Sequence, residues 1–245
     1  MVITSKSNPL IKEILKLYDK KYRKEYGQYI VEGIKPVQEC IAAGCEVKKV
    51  ICSEELSGQF DNATVVSRTV FECISFEKTP QGVLAIVEIP KTSLRTPTDS
   101  CLLLDCLQDP GNLGTIIRTA NAAGYREIYL INCTDPYSPK SVRASMSGIF
   151  FVNIFQGTKD EILASLENVP LICADMDGEN IFSFKSTERF CLCIGNEGSG
   201  ISKEIFDRAD KKVSIPMERT CESLNAAVSA GIAMYQLKYN FKRGE

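Results

Sequence analysis

Four short apolar runs in the second half of the chain restrict its fold most. They are Cys101-Leu102-Leu103-Leu104, Ile128-Tyr129-Leu130-Ile131, Leu171-Ile172-Cys173-Ala174 and Phe190-Cys191-Leu192-Cys193-Ile194. A strand with one wet face alternates apolar and polar residues, whereas a run that is apolar throughout must be covered on both faces. Such strands belong to a mainly parallel sheet with helices on both faces, and segments of helical spacing lie between them. One of these opens with a capping box, Thr158-Lys159-Asp160-Glu161, which is a structural signature. An open sheet of this kind places ligands at the carboxyl ends of its strands.

The first half has a different texture. Ser7 or Asn8 can cap a helix with Pro9 in its first turn, and Leu10, Ile11, Ile14, Leu15 and Tyr18 follow at helical spacing. The runs 29–31, 50–52, 64–66 and 83–87 read as strands, and 36–43 reads as a helix ended by Gly44. The polar, proline-bounded stretch 90–97 suits an exposed connection. The expectation is a small α/β domain over residues 1–97 and a larger α/β domain over 98–245.

The chain has no histidine, which excludes Ser-His and Cys-His nucleophile pairs and histidine-ligated zinc. Chemistry must then come from arginine, lysine, carboxylates, hydroxyls and amides, or from a reactive cofactor. None of the 11 cysteines forms a Cys-x-x-Cys pair, and they read as small buried hydrophobes in a reducing compartment. No run approaches the roughly 18 apolar residues that span a bilayer, so cytoplasm is the expected location. A net charge of −2 argues against non-specific coating of nucleic acid. The first 35 residues nevertheless hold eight Lys and Arg against four Asp and Glu, which points to a local basic patch.

Three loops can carry chemistry. The first, 105–114, leads into a helix with an apolar face of Leu113, Ile116, Ile117 and Ala120; Asn112 is its expected N-cap, and Arg118 points away from that face. The second, Gly195-Asn196-Glu197-Gly198-Ser199-Gly200, lacks the Gly-x-Gly-x-x-Gly spacing of dinucleotide sites, which disfavours a nicotinamide oxidoreductase. The third runs from Pro216 to Asn225 into a helix rich in small residues, which Ser223 or Asn225 can cap. Taken singly, Arg118 reads as readily as a solvated surface charge, the second loop more readily as a tight turn, and the small-residue helix after the third more readily as ordinary packing.

Together the loops resemble the SpoU (TrmH-like) family of RNA ribose methyltransferases, in the SPOUT superfamily. Asp109-Pro110-Gly111-Asn112-Leu113-Gly114 through Arg118-Thr119-Ala120 is similar to the first family motif. Residues 194–202 resemble the second, and Ile215-Pro216-Met217 with Glu222-Ser223-Leu224-Asn225 the third. The resemblance implies a deep C-terminal trefoil knot, a homodimer through the C-terminal domain, and transfer of a methyl group from S-adenosylmethionine to a ribose 2'-hydroxyl. It implies cofactor contacts at Gly195, Asn196, Ile215, Met217 and Leu224. It places Asn112, Arg118, Glu197, Ser223 and Asn225 on the catalytic side, with no metal required. Arginine is very hard to deprotonate, so Arg118 is assigned to orienting phosphate and stabilising a developing alkoxide rather than to removing a proton.

The first half resembles the ribosomal-protein-like RNA-binding domain often attached to these enzymes, which favours ribosomal over transfer RNA as substrate. Within it, Lys20, Lys21 and Arg23 are interleaved with Tyr18, Tyr22 and Tyr26, cations for phosphate beside aromatics for bases. A solvated helix end is the competing reading. Arg219 departs from the family pattern by standing where a glycine is usual, so a differently shaped loop is expected there. It is the main support for an alternative function, a non-catalytic RNA-binding or assembly protein with the same fold. Cys221, in the same loop, reads as a packing residue.

Overall fold

The computed structural model describes residues 2–185 and 188–242. Along the chain the elements run α1 (Pro9–Lys16), α2 (Lys20–Tyr26), β1 (Gln28–Glu32), α3 (Ile34–Ala42), β2 (Val47–Ser53), β3 (Thr64–Val66), α4 (Arg68–Ile74) and β4 (Val83–Glu88). They continue with β5 (Cys101–Asp105), α5 (Pro110–Ala123), β6 (Glu127–Ile131), α6 (Pro139–Ala144), β7 (Asn153–Gln156) and α7 (Lys159–Ser165). The last are β8 (Leu171–Asn180), β9 (Cys191–Ile194), α8 (Lys203–Asp207), β10 (Lys211–Ser214) and α9 (Ala226–Lys242).

Two compact units result. One comprises the chain up to Lys91 together with Asp135–Phe150; the other comprises Thr92–Thr134 and the chain from Phe151 onward. The chain thus changes unit within the 90–97 connection, and the first unit recruits a segment from far beyond it.

In the first unit the strand order is β1-β4-β2-β3, antiparallel except for the β2–β3 pair. Alternation of side chains splits the sheet into two faces. Ile30, Ile51, Val66, Leu84 and Ile86 pack with α1 and α4. On β1, Tyr29 sits 5.0 Å from the Tyr137 ring, and both α3 and α6 pack against this strand. Asn8 rather than Ser7 caps α1, accepting from Leu10 N at 2.9 Å.

In the second unit the order is β10-β8-β9-β5-β6-β7, with every pairing parallel. Odd-numbered residues such as Cys101, Leu103, Tyr129, Cys191 and Cys193 share one core with Ile162 and Leu166 near α7 and Ile205 of α8. The opposite face is covered by α9, which packs on β9 and α5. Fully burying each large aliphatic side chain contributes about 1.5–3 kcal/mol, so the continuous apolar runs drive this layer. The capping box is present, with Thr158 and Glu161 bonding each other's backbone amides. All 11 cysteines are free thiols, and Cys40, Cys52, Cys101, Cys173, Cys191 and Cys193 are buried. No helix among the described residues is long and apolar enough to cross a membrane.

Candidate active site

Because the sheet is parallel, the loops after β5, β9 and β10 all leave the same edge, and side-chain hydrogen bonds tie them together. Each loop is built locally first. After β5, Asp109 caps α5 by accepting from Asn112 N at 2.8 Å, and Pro110 follows at the first helical position. This corrects the expectation that Asn112 is the N-cap: with Asp109 three residues earlier holding the helix start, the Asn112 side chain is free for other partners. It donates from Nδ2 to Glu197 Oε1 at 2.9 Å and accepts at Oδ1 from Asn225 Nδ2 at 3.0 Å. Asn225 also caps α9, its Oδ1 accepting from Ala227 N at 2.9 Å.

The turn after β9 closes with a reciprocal backbone pair between Asn196 and Gly200, at 2.9 and 3.0 Å. Gly195 is required by space: a Cβ there would lie 2.2 Å from the Gly200 carbonyl carbon. Within the turn, Asn196 Oδ1 accepts from Gly198 N and Ser199 N at 2.9 and 3.0 Å. Exposed amides in this turn are therefore satisfied by Asn196, and Glu197 takes side-chain donors instead, from Asn112 and Asn196.

Beside the turn lies a cleft of about 320 Å³, lined by Gly195, Asn196, Ile215, Met217 and Leu224, with Glu197 and Ser223 adding polar groups. Every residue expected to contact the cofactor therefore lines one cleft. Asp175, Met176 and Ile181, beyond the expected strand 171–174, form a further wall that sequence reading missed. The signal was available, because 174–176 extends the end of a parallel strand and β8 runs on to Asn180. Arg118 stands apart: it is exposed on α5, outside the cleft lining, with no ion pair or hydrogen bond among the described residues.

Arg219 does not take a left-handed backbone; the non-glycine residues with positive φ among those described are Asn62, Cys106, Asn132, Met146 and Ser147. The loop therefore forms without the conformation a glycine would supply at that position. Cys221 is exposed, not packed, and its thiol donates to Ser223 O at 3.3 Å.

In the first unit, the cationic patch divides. Lys20 and Lys21 are exposed at the start of α2, and Lys21 Nζ lies 5.4 Å from the Tyr22 ring centroid. Arg23 differs from the expected phosphate contact: it is 4% exposed, pairs with Asp135 at 2.7 Å and donates to Leu17 O at 2.7 Å. Its guanidinium is consumed inside the unit. Lys16, which sequence reading left out, takes the place beside the aromatics, 5.2 Å from the Tyr22 centroid and bonded to Tyr26 Oη at 3.3 Å.

Comparisons with known proteins place both parts of the chain among known families. Residues 99–235 match the model of the SpoU rRNA Methylase family, and residues 8–85 match an MRM3-like substrate binding domain. The chain is 31% identical to the 23S rRNA (guanosine(2553)-2'-O)-methyltransferase RlmP of Bacillus subtilis (strain 168), covering 96% of this chain and 98% of that protein. It is 30% identical to the 23S rRNA (uridine(2479)-2'-O)-methyltransferase of Streptomyces viridochromogenes, over 87% and 83% of the two chains. Its structure is similar to the AdoMet-bound rRNA methyltransferase from Sinorhizobium meliloti, with a TM-score of 0.88, 30% identity and 96% coverage of both chains.

Proposed function

The chain belongs to the SpoU rRNA methylase family, and from that membership we propose that it transfers a methyl group from S-adenosylmethionine to a ribose 2'-hydroxyl of ribosomal RNA. The observation that carries this reading is the Asn225–Asn112–Glu197 hydrogen-bonded chain beside a cleft lined by Gly195, Ile215, Met217 and Leu224. The cleft falls within the usual size range of small-molecule sites. Apolar Ile215, Met217 and Leu224 beside polar Asn196, Glu197 and Ser223 suit a ligand with a flat heterocycle at one end and charge at the other.

S-adenosylmethionine, when bound, supplies a methyl group already activated by its sulfonium. What remains for the protein is alignment of the hydroxyl and management of its proton. Ile215, Met217 and Leu224 would hold the heterocycle, and the turn at Gly195 and Asn196 would approach it with backbone groups. Glu197 is held in place by Asn112 and Ser223 lies in the same lining, so both would orient ligand groups at the polar end. Arg118, with its guanidinium unspent, would neutralise RNA phosphate and stabilise charge developing on the 2'-oxygen. Lys20 and Lys21, joined by Lys16 and Tyr22, would hold RNA in the first unit.

We further infer a trefoil knot, a homodimer and a cytoplasmic location. The chain's passage from β10 at one sheet edge back to α9 over β9 and α5 supports the knot. Large exposed apolar residues on α9, Val228, Tyr235 and Tyr239, support pairing of two copies. Eleven free thiols support a reducing compartment.

The deciding experiment maps 2'-O-methylated nucleotides in ribosomal RNA from cells with and without the gene, and assays transfer of labelled methyl to unmodified ribosomal RNA in vitro. One nucleotide losing its methyl group, and regaining it in vitro, is expected. An unchanged map together with no transfer to ribosomal RNA would overturn the reading; methylation of transfer RNA alone would move the activity to that substrate.

A further inference from the structure

Asp105 and Cys106, at the end of β5, grip the turn 195–200 from both sides, and we propose that Asp105 is a positioning residue for cofactor binding that acts through this turn without lining the cleft. The inference rests on reading the cleft as the S-adenosylmethionine site.

Asp105 is 1% exposed, and its Oδ2 accepts from Ser202 N at 2.7 Å, just downstream of the turn. Upstream, the carbonyl of Cys106 accepts from Asn196 Nδ2 at 2.8 Å. Two adjacent residues in the middle of the sheet therefore set both ends of a turn whose interior is organised by Asn196 alone. Lys159 on α7 bonds Glu204 in α8 at 3.0 Å; Glu204 first, and Asp105 more weakly, hold its ammonium above the ordinary value. The carboxylate is thus electrostatically coupled to a cation that also fastens the helix following the turn.

This corner is poorly explained by stability. Asp105 Oδ1 and Ser202 Oγ are both buried and make no regular hydrogen bond among the described residues; besides Ser202 N, the carboxylate has the neighbouring Cys106 thiol, a weak donor that burial first and Asp105 second hold in its protonated form. Burying a carboxylate with so few donors carries a desolvation cost that an apolar side chain of similar volume would avoid. Cys106 adds a left-handed backbone, φ +57°, which side chains beyond Cβ disfavour. Local costs concentrated at one corner are expected where a site must be held in a fixed geometry. Here the fixed object is the turn carrying Glu197, the acceptor for Asn112, so a small shift at Ser202 or Asn196 displaces groups on the cleft wall.

The test compares Asp105→Ala with Asp105→Asn in the full chain, measuring S-adenosylmethionine affinity by calorimetry and amide hydrogen exchange over 196–202 without cofactor. Loss of a hydrogen bond to a charged acceptor predicts roughly tenfold or greater weakening in Asp105→Ala. The same variant should show faster exchange across the turn. Asp105→Asn keeps an oxygen for Ser202 N and should stay within about threefold of wild type on the same ground. Ser202→Pro removes the donor itself at a residue whose φ of −61° already suits proline, and should reproduce the affinity loss. Wild-type affinity and wild-type exchange in a folded Asp105→Ala protein would overturn the proposal, as would unchanged affinity in Ser202→Pro should Asp105→Ala not fold. Failure of the wild type to bind S-adenosylmethionine would instead overturn the cofactor reading, while the exchange measurement would still report whether Asp105 orders the turn.

Discussion

Asn112 and Glu197 lie 85 positions apart in sequence, yet their side chains meet at 2.9 Å. Since Asn112 also accepts from Asn225 through its oxygen, both ends of one amide are committed and its orientation is fixed by chemistry rather than by packing. Asn112→Asp removes the donor and sets a second carboxylate against Glu197. Turnover should fall by about two orders of magnitude, in line with loss of a preorganised active-site donor. Labelled-methyl transfer at saturating RNA checks this, and a near-wild-type rate would remove Asn112 from the catalytic side.

Arg118→Ala is expected to abolish turnover while leaving S-adenosylmethionine affinity intact, because the side chain lies outside the cleft lining. Calorimetry alongside the transfer assay separates the two effects. Loss of cofactor binding would contradict the role assigned to this guanidinium.

Lysine and arginine in the α2 segment should behave oppositely. Arg23→Ala leaves the largely buried Asp135 with only the Tyr137 amide as donor and should cost about 3 kcal/mol of stability, read by urea denaturation. Joint reversal of exposed Lys20 and Lys21 to Glu should leave the melting temperature in place. It should weaken RNA binding and reduce the salt dependence of affinity by about two counterions.

Acid sensitivity of the first unit should carry a signature from Glu32. Burial first, with a smaller push from Glu77, raises its carboxyl above the ordinary 4.5, against opposing bonds from Ser75 and Phe76. The folded state therefore holds the proton more tightly than the unfolded chain. The associated stability is present below 4.5 and is lost as pH rises through the folded value. Glu32→Gln should flatten that part of the profile of melting temperature against pH, as measured by circular dichroism. An identical slope in variant and wild type would contradict the assignment.

Much of the second unit was legible because β5, β6, β9 and the first residues of β8 carry nearly continuous apolar runs, a pattern that leaves few alternatives to a covered parallel sheet. β7 escaped because Ile154 and Phe155 are its only large apolar residues, too short a run to stand out. Asn112 was misread as a cap because Asp109 and Asn112 are both good cap residues; Pro110, favoured at the first helical position, was the sequence signal for Asp109, whose carboxylate accepts from Asn112 N. The residues of the cleft came as a set from the resemblance of the three loops to family motifs, while the strand pattern by itself predicted only that the loop exits share one sheet edge. Arg23 was not: whether a cation faces water or Asp135, 112 positions away, depends on chain that local patterning does not see.

The recruitment of Asp135–Phe150 into the first unit bears on how such proteins can be recombined. Exchanging everything before Thr92 for the same stretch of a relative would import a foreign socket for Asp135, Tyr137 and Arg143, which meet Arg23, Tyr29 and Glu77, while keeping the native plug. A working chimera would have to be a two-piece graft, and inherited changes in RNA preference are constrained in the same way, since substitutions near Arg23 must suit residues encoded within the methylase half.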